Sequence, residues 1–370
     1  MYKMIKELNI KPTYIFKDNN IYDILYFDIE TTGFSPDNTI LYLIGGVYYS
    51  CSDKKYKSIQ WFCCDASEEE EMIRDFVSFS NSFKTLIHYN GLGFDIPYII
   101  KKCNHYGIVH SFDTFNHIDL YKVLQPYKKL LNIKDYKQKS IESFLGISRD
   151  DKYTGGQLIN IFYEYVKIHS LNKIKDITTP KEEELLHTLI LHNYEDINGL
   201  MLISKIINYS DLFVEDFFIE SVKIDDNILR INLKTLCTIP KKVECSNEFF
   251  NISIVNNKIN ARIMILKEEL KFFHPDYKDY YYLPVEDCAI HKSLATFVDK
   301  NHRQKAKASN CYTRKNGDFL FVHSAYITPF FKRSYKDSDT FIELTNEFIK
   351  DEEKIIRYIK HLLIGYINGL

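Results

Sequence analysis

The run Asp28-Ile29-Glu30-Thr31-Thr32-Gly33 directly follows the apolar stretch Leu25-Tyr26-Phe27. No other feature limits what this chain can fold into as strongly. Two carboxylates one residue apart, at the C-terminal end of a hydrophobic strand, lie beside the open edge of a sheet. Close carboxylates repel, and both stay ionised only where a strong counter-charge sits between them, most simply a divalent cation. Alone, such a pair also reads as a solvated strand end, so the rest of the chain has to decide.

At 370 residues the chain has room for one large domain or two ordinary ones. Its net charge of -2 and ordinary apolar content exclude a disordered or generally basic protein. They leave open a nucleic-acid partner met through local basic patches around an acidic centre. The segment Met1–Glu7 lacks the pattern of a secretory signal. No run reaches the ~18 uncharged apolar residues of a membrane helix, so no membrane partner is expected. Eight cysteines without an export signal suggest reduced thiols in a cytoplasmic protein. The nearest thing to a structural zinc pattern is Cys288-x-x-His291 with His302 and Cys311, set against ordinary core and surface roles.

The first ~210 residues alternate between strand and helix signals. Three aromatic and β-branched runs at 21–29, 39–49 and 56–63 predict an antiparallel meander. Ser67-Glu68-Glu69-Glu70 reads as a capping box opening a helix through Met72, Ile73, Phe76 and Val77. A strand at 84–89, a glycine turn, a helix over 95–106 and a strand near 114–118 complete the element order of a ribonuclease-H-like α/β fold with a mixed five-stranded sheet. A helical region follows, broken at Gly146 and Gly155-Gly156. Thr179-Pro180-Lys181-Glu182 then starts a long helix, with Thr179 as N-cap and Pro180 at the first helical position. Beyond about residue 212 the texture changes. Period-2 alternation over 218–273, a helix near 286–299, a basic segment and a helix over 338–367 predict a smaller α+β domain at 213–370, beside a first domain at 1–212.

Two further acidic segments follow the strand-end pair. In His88-Tyr89-Asn90-Gly91-Leu92-Gly93-Phe94-Asp95 a strand, a glycine turn and a helix start succeed one another. Taken alone, Asp95 is a helix cap. In the long helix, His192 and Asp196 are four residues apart and share one face. Alone they read as a surface ion pair, and Glu195 reads as solvent-facing.

Taken together, D-x-E-T-T-G, N-x-x-x-F-D and a His-bearing helix with a final Asp place four acids in one order: Asp28, Glu30, Asp95 and Asp196. That pattern resembles the DEDD 3′-5′ exonuclease superfamily, and within it the YprB-type ribonuclease-H-like domain. Tyr42-Leu43-Ile44-Gly45, His117-Ile118-Asp119-Leu120, Leu145-Gly146-Ile147-Ser148-Arg149 and His192-Asn193 extend the likeness over about residues 22–206. The resemblance implies hydrolysis of nucleic-acid phosphodiesters with two Mg2+ or Mn2+ about 3.5–4 Å apart. Asp28 would bridge the two ions, Glu30 and Asp196 would complete one site, and Asp95 would complete the other. His192 would orient or deprotonate the attacking water. One departure stands out. His192 lies four residues before the last Asp, the spacing of the tyrosine-bearing branch, where histidine-bearing members place it five before.

The implied activity is a metal-dependent 3′-5′ exonuclease on single-stranded DNA or RNA ends. A structure-specific or RNA-directed endonuclease, and a binding module that keeps the fold without cutting, use the same residues. Thr31 and Asn90 beside the acids, and the basic run Lys300, Arg303, Lys305, Lys307, Arg314 and Lys315 with His302 and Tyr312, are candidate nucleic-acid contacts. A second set, Lys128, Lys129, Lys134, Lys137 and Lys139, reads more readily as solvated surface.

Overall fold

The computed structural model describes every residue of the chain except 18, 325, 326 and 370. It divides into two compact units. One comprises residues 1–125 and 133–210, the other 126–132 and 211–370.

The first unit is built on β1 (Tyr2–Leu8), β2 (Ile24–Thr31), β3 (Leu41–Ser50), β4 (Lys55–Phe62), α1 (Glu69–Ser80), β5 (Thr85–His88), α2 (Asp95–His105), β6 (Asn116–Asp119) and α3 (Leu120–Leu124). The short helix α4 (Lys128–Leu131) belongs to the second unit. The first unit resumes with α5 (Gln138–Leu145), α6 (Gly155–Lys175) and α7 (Pro180–Ile203), and α8 (Asn208–Val214) spans the boundary. The sheet runs β1-β4-β3-β2-β5-β6. β1 to β4 pair antiparallel, whereas β5 and β6 run parallel to β2.

Alternation along β2 assigns its two faces. Phe27 meets Phe76 of α1, with ring centroids 5.8 Å apart. Its neighbour Asp28 faces Asn193 of α7 on the other side. The first four residues of β2 are buried, as a strand covered on both faces requires.

The sheet thus has six strands where five were expected. The added β1 is an edge strand whose Lys3, Lys6 and Glu7 interrupt any apolar pattern. The helix α1 begins at Glu69, one residue late for a capping box at Ser67. Asp65 instead accepts the Ser67 N–H at 2.8 Å and opens a 3-10 turn that leads into the helix.

In the second unit β7 (Phe217–Asp225), β8 (Ile228–Thr235), β9 (Val243–Ser246), β10 (Phe250–Val255) and β11 (Lys258–Met264) form an antiparallel sheet in the order β7-β8-β11-β10-β9. Left-handed residues Asp226 and Asn256 make its tight turns. Two three-stranded sheets follow. One joins β12 (Leu266–Phe273), β16 (Tyr312–Val322) and β17 (Thr340–Glu343); the other joins β13 (Tyr280–Leu283), β14 (Cys288–His291) and β15 (Gln304–Lys305). Two expected helices are therefore partly strand. Residues 288–291 pair with β13, leaving only the short α9 (Lys292–Ala295). Residues 340–343 pair with β16 before α10 (Asn346–Lys350) and α11 (Glu352–Asn368). Cross-strand partners distant in sequence override local helix preference at both places.

Candidate active site

β2 extends past the end of its parallel neighbour, with Tyr26 opposite Ile87 as the last paired position. Asp28 and Glu30 therefore project where the sheet opens. Past that point the Ile29 N–H has no strand on the β5 side, and Asp95 Oδ1 accepts it at 3.3 Å. Asp95 is the first residue of α2, buried to 6 % exposure, and Phe94 occupies the cap position. The carboxylate is thus turned toward the strand carrying the other two acids rather than used as a cap. The turn before it is held by Asp119, which accepts the Asn90 and Leu92 N–H groups.

The helix α7 starts as its sequence predicts, with Thr179 accepting the Glu182 N–H and Pro180 in the first turn. Where it crosses β2 and β3 it brings His192, Asn193 and Asp196 to the acids. His192 Nε2 lies 3.2 Å from Asp196 Oδ2 and 3.5 Å from Glu30 Oε1. Asn193 Nδ2 donates to Asp28 Oδ2 at 3.2 Å. Gln60 fixes that amide by donating to Asn193 Oδ1 at 2.9 Å.

A turn after α5 completes the surround. Arg149 donates to Asp196 Oδ1 at 2.5 Å and is clasped by Glu142. Asp151 Oδ2 lies 2.7 Å from His192 Nδ1 and accepts from Lys139 Nζ at 2.7 Å. Glu195 holds the turn by accepting the N–H groups of Asp150 and Asp151, both at 2.9 Å. Glu195 is therefore a clamp, not a solvent-facing residue. Lys139, grouped with the surface lysines in sequence, is tied to Asp151. Tyr194 points elsewhere, under Lys6.

Charge in this cluster is unbalanced. Loss of water, and then the charges of Asp196, Asp95 and Glu30, push the Asp28 carboxyl well above its usual range, and Arg149 offsets only part of that. Glu30 is raised well above its usual range by the same loss of water and by Asp196 and Asp95. Asp95 rises to about 7, mainly through burial, despite the Ile29 hydrogen bond that favours its charged form. Asp151 moves the other way. Burial opposes its charge, but Lys139, the Tyr153 N–H and His192 together hold it below the usual range.

Converging oxygen donors with one imidazole suit a divalent metal ion. Glu30, His192 and Asp196 each offer an atom within 4.8 Å of the others. The raised Asp28, Glu30 and Asp95 carboxyls mark a positive charge the protein itself does not supply. The residues therefore fit a metal. Among the described residues this is the one group of metal-capable side chains. Cys288, His291, His302 and Cys311 are not brought together, which corrects the zinc pattern. Cys311 is buried with Ala289 and Ala306, while His291 caps α9.

Of the expected substrate contacts, Thr31 ends β2 and donates to Gly33 O at 2.8 Å, and Asn90 is exposed in the left-handed region at φ 61°. Lys300, Lys305 and Lys307 are exposed in the second unit. Arg303 stacks its guanidinium on Tyr281 there, 4.9 Å from the ring centre. Arg314 and Lys315 pair with Glu269 and Glu343. Sequence reading gave no individual role to Asp151, Gln60, Glu142 or Asn193. Only Asn193 carried a signal, as part of the motif beside His192.

Among the described residues no helix is long and apolar enough to cross a membrane. No curated protein sequence matches the chain. Among solved structures, a family B DNA polymerase from Pyrobaculum calidifontis is similar at 19 % identity and a TM-score of 0.37, over 51 % of this chain and 26 % of the polymerase. E. coli exonuclease I in complex with a dA16 oligonucleotide is similar at 10 % identity and a TM-score of 0.27, over 58 % of this chain and 55 % of the exonuclease. The chain thus spans about a quarter of the one and just over half of the other. The family model RNase_H_2 matches residues 25–208. With its mixed sheet flanked by helices, that stretch of the chain belongs to the RNase H superfamily.

Proposed function

We propose that the chain is a metal-dependent nuclease that cleaves phosphodiester bonds, acting as a 3′-5′ exonuclease on single-stranded DNA or RNA ends. One observation carries this reading: Asp95 leaves its cap role to join Asp28 and Glu30, where α7 adds Asp196 and His192. In this reading Asp28, Glu30, Asp95 and Asp196 hold two Mg2+ or Mn2+. When bound, such ions lower the pKa of a coordinated water and stabilise charge on the phosphate. His192 Nε2 orients the attacking water or accepts its proton. Asn193 steadies Asp28, and Gln60 steadies Asn193. Thr31 and Asn90 flank the acids, and the polarity of cutting is taken from the DEDD likeness. Lys300, Arg303, Lys305 and Lys307, with Tyr281, supply phosphate and base contacts on the second unit.

The test is incubation of 5′-labelled single-stranded DNA and RNA oligonucleotides with Mn2+, Mg2+ or EDTA, beside Asp28→Ala. The expected result is a metal-dependent ladder shortening from the 3′ end, absent in the variant, on one or both nucleic acids. Internal cuts would replace the exonuclease with an endonuclease. Intact substrate in every lane, with binding retained, would replace the enzyme with a binding module.

A further inference from the structure

Asp151 lies 41 residues from His192 in the chain, yet the 2.7 Å contact to His192 Nδ1 is the shortest that imidazole makes. An ionised carboxylate only accepts, so the hydrogen bond requires a proton on Nδ1. Of the two ring nitrogens, Nε2 is then the one left facing Glu30 and Asp196. The partner on one nitrogen of a histidine sets what the other presents.

Asp151 is held more firmly than a loop turn needs. Its Oδ1 accepts the Tyr153 N–H at 3.0 Å, an ordinary local turn bond. Its Oδ2 is given to His192 and to Lys139. Glu195, three residues after His192 on α7, clamps the backbone N–H groups of Asp150 and Asp151. The helix that carries the imidazole therefore also anchors the carboxylate that orients it. Arg149 on the same turn reaches Asp196, so one short segment meets both His192 and Asp196 of α7.

We infer that Asp151 is a positioning residue: it keeps the proton on His192 Nδ1 and aims Nε2 into the carboxylate cluster. This rests on the nuclease reading for its consequence, though not for the proton's place. It predicts that truncating Asp151 lowers turnover without weakening substrate binding, since Asp151 faces the far side of the imidazole.

The experiment pairs spectra with kinetics. In metal-free protein labelled with 15N-histidine, the His192 signals are identified by their loss in His192→Gln. Wild type is expected to show a slowly exchanging proton on Nδ1, and Asp151→Ala to lose it. In cleavage assays Asp151→Ala is expected to lower kcat about 10–100-fold with KM little changed, in line with loss of a partner behind a metal-site histidine. Lys152→Ala, at an exposed position of the same turn, is expected to stay within a fewfold of wild type and to control for disturbance of the turn. A His192 Nδ1 without a proton in the wild type overturns the inference. So does an Nδ1 proton that persists unchanged in a folded Asp151→Ala. Wild-type protein that cuts nothing overturns the nuclease reading instead, and the spectra alone then decide the place of Asp151.

Discussion

Two sets of carboxylates in the first unit, one buried and one half-buried around Asp95, are balanced in opposite ways. Glu69 on α1 is 2 % exposed and fully partnered. Lys102 Nζ lies 2.9 Å from its Oε1, Tyr106 donates to Oε2 at 2.6 Å, and the Leu41 N–H donates to Oε1 at 2.6 Å. Lys102 gives a further bond to Thr39 O at 2.6 Å. This set ties α1, α2 and β3 together and leaves nothing for a ligand to do. At Asp28, Glu30 and Asp95 the neighbours are mostly other carboxylates, and all three carboxyls are raised. A buried charge with its partner built in serves the fold; one without is held ready for something that arrives later.

The sharpest way to break this contrast is to remove one acid from each set. Asp28→Asn is expected to lower cleavage about a thousandfold or more, because a metal site acts as a unit. It should nevertheless raise the unfolding midpoint of the metal-free protein at about pH 8, since one repelling charge is gone and the new amide still offers Asn193 an acceptor. Glu69→Ala should do the reverse. Stranding Lys102 without its partner is expected to cost about 3–5 kcal/mol, read by urea unfolding, with activity per folded molecule little altered. If both variants destabilise alike, the two sets do not differ in kind.

A smaller effect follows from pH. The folded protein holds protons on Asp28, Glu30 and Asp95 that the unfolded chain releases near pH ~4. Stability from these groups is therefore complete below pH ~4 and declines as pH rises, for Asp95 through about 7. With EDTA, the unfolding midpoint should fall from about pH 5 to about pH 8. Saturating Mn2+ should flatten that fall, adding about 2.7 kcal/mol at a hundredfold excess over its Kd. A fall that persists unchanged with Mn2+ would place the raised groups away from any metal.

Legibility in the sequence tracked how local each signal was. The strand carrying Asp28 and the start of α7 at Thr179-Pro180 rest on neighbours close in the chain, and both were readable. The likeness of three short motifs put Asp28, Glu30, Asp95, His192 and Asp196 in one group, and the fold brings them to one place. Asp151 was not readable. Its neighbours Asp150 and Lys152 make it look like solvated turn, and its meaning depends on a helix some forty residues away. Glu195 failed for the same reason, because its partners are backbone N–H groups, which leave no trace in residue type. In the second unit Cys288–His291 and Thr340–Glu343 became strands through distant partners.

The smallest predicted effect lies where the fold and the acid cluster meet. Gly45 is paired with Asp28 across β3 and β2. A Cβ there would fall 2.8 Å from Asn193 Cγ and closer still to its Oδ1. Asn193 has no free rotation with which to yield, being held by Gln60 on one side and Asp28 on the other. Gly45→Ala should therefore cost about 1–3 kcal/mol as an overpacked contact, and lower activity by unseating the one amide that supports Asp28. Asn193→Ala removes the obstacle, so Gly45→Ala made in that background should cost little more. The coupling between the two substitutions, measured by unfolding and by cleavage, then separates the room α7 needs from the support Asp28 needs. Simple additivity in both readouts would mean that Gly45 serves the sheet alone and that Asp28 stands without help from α7.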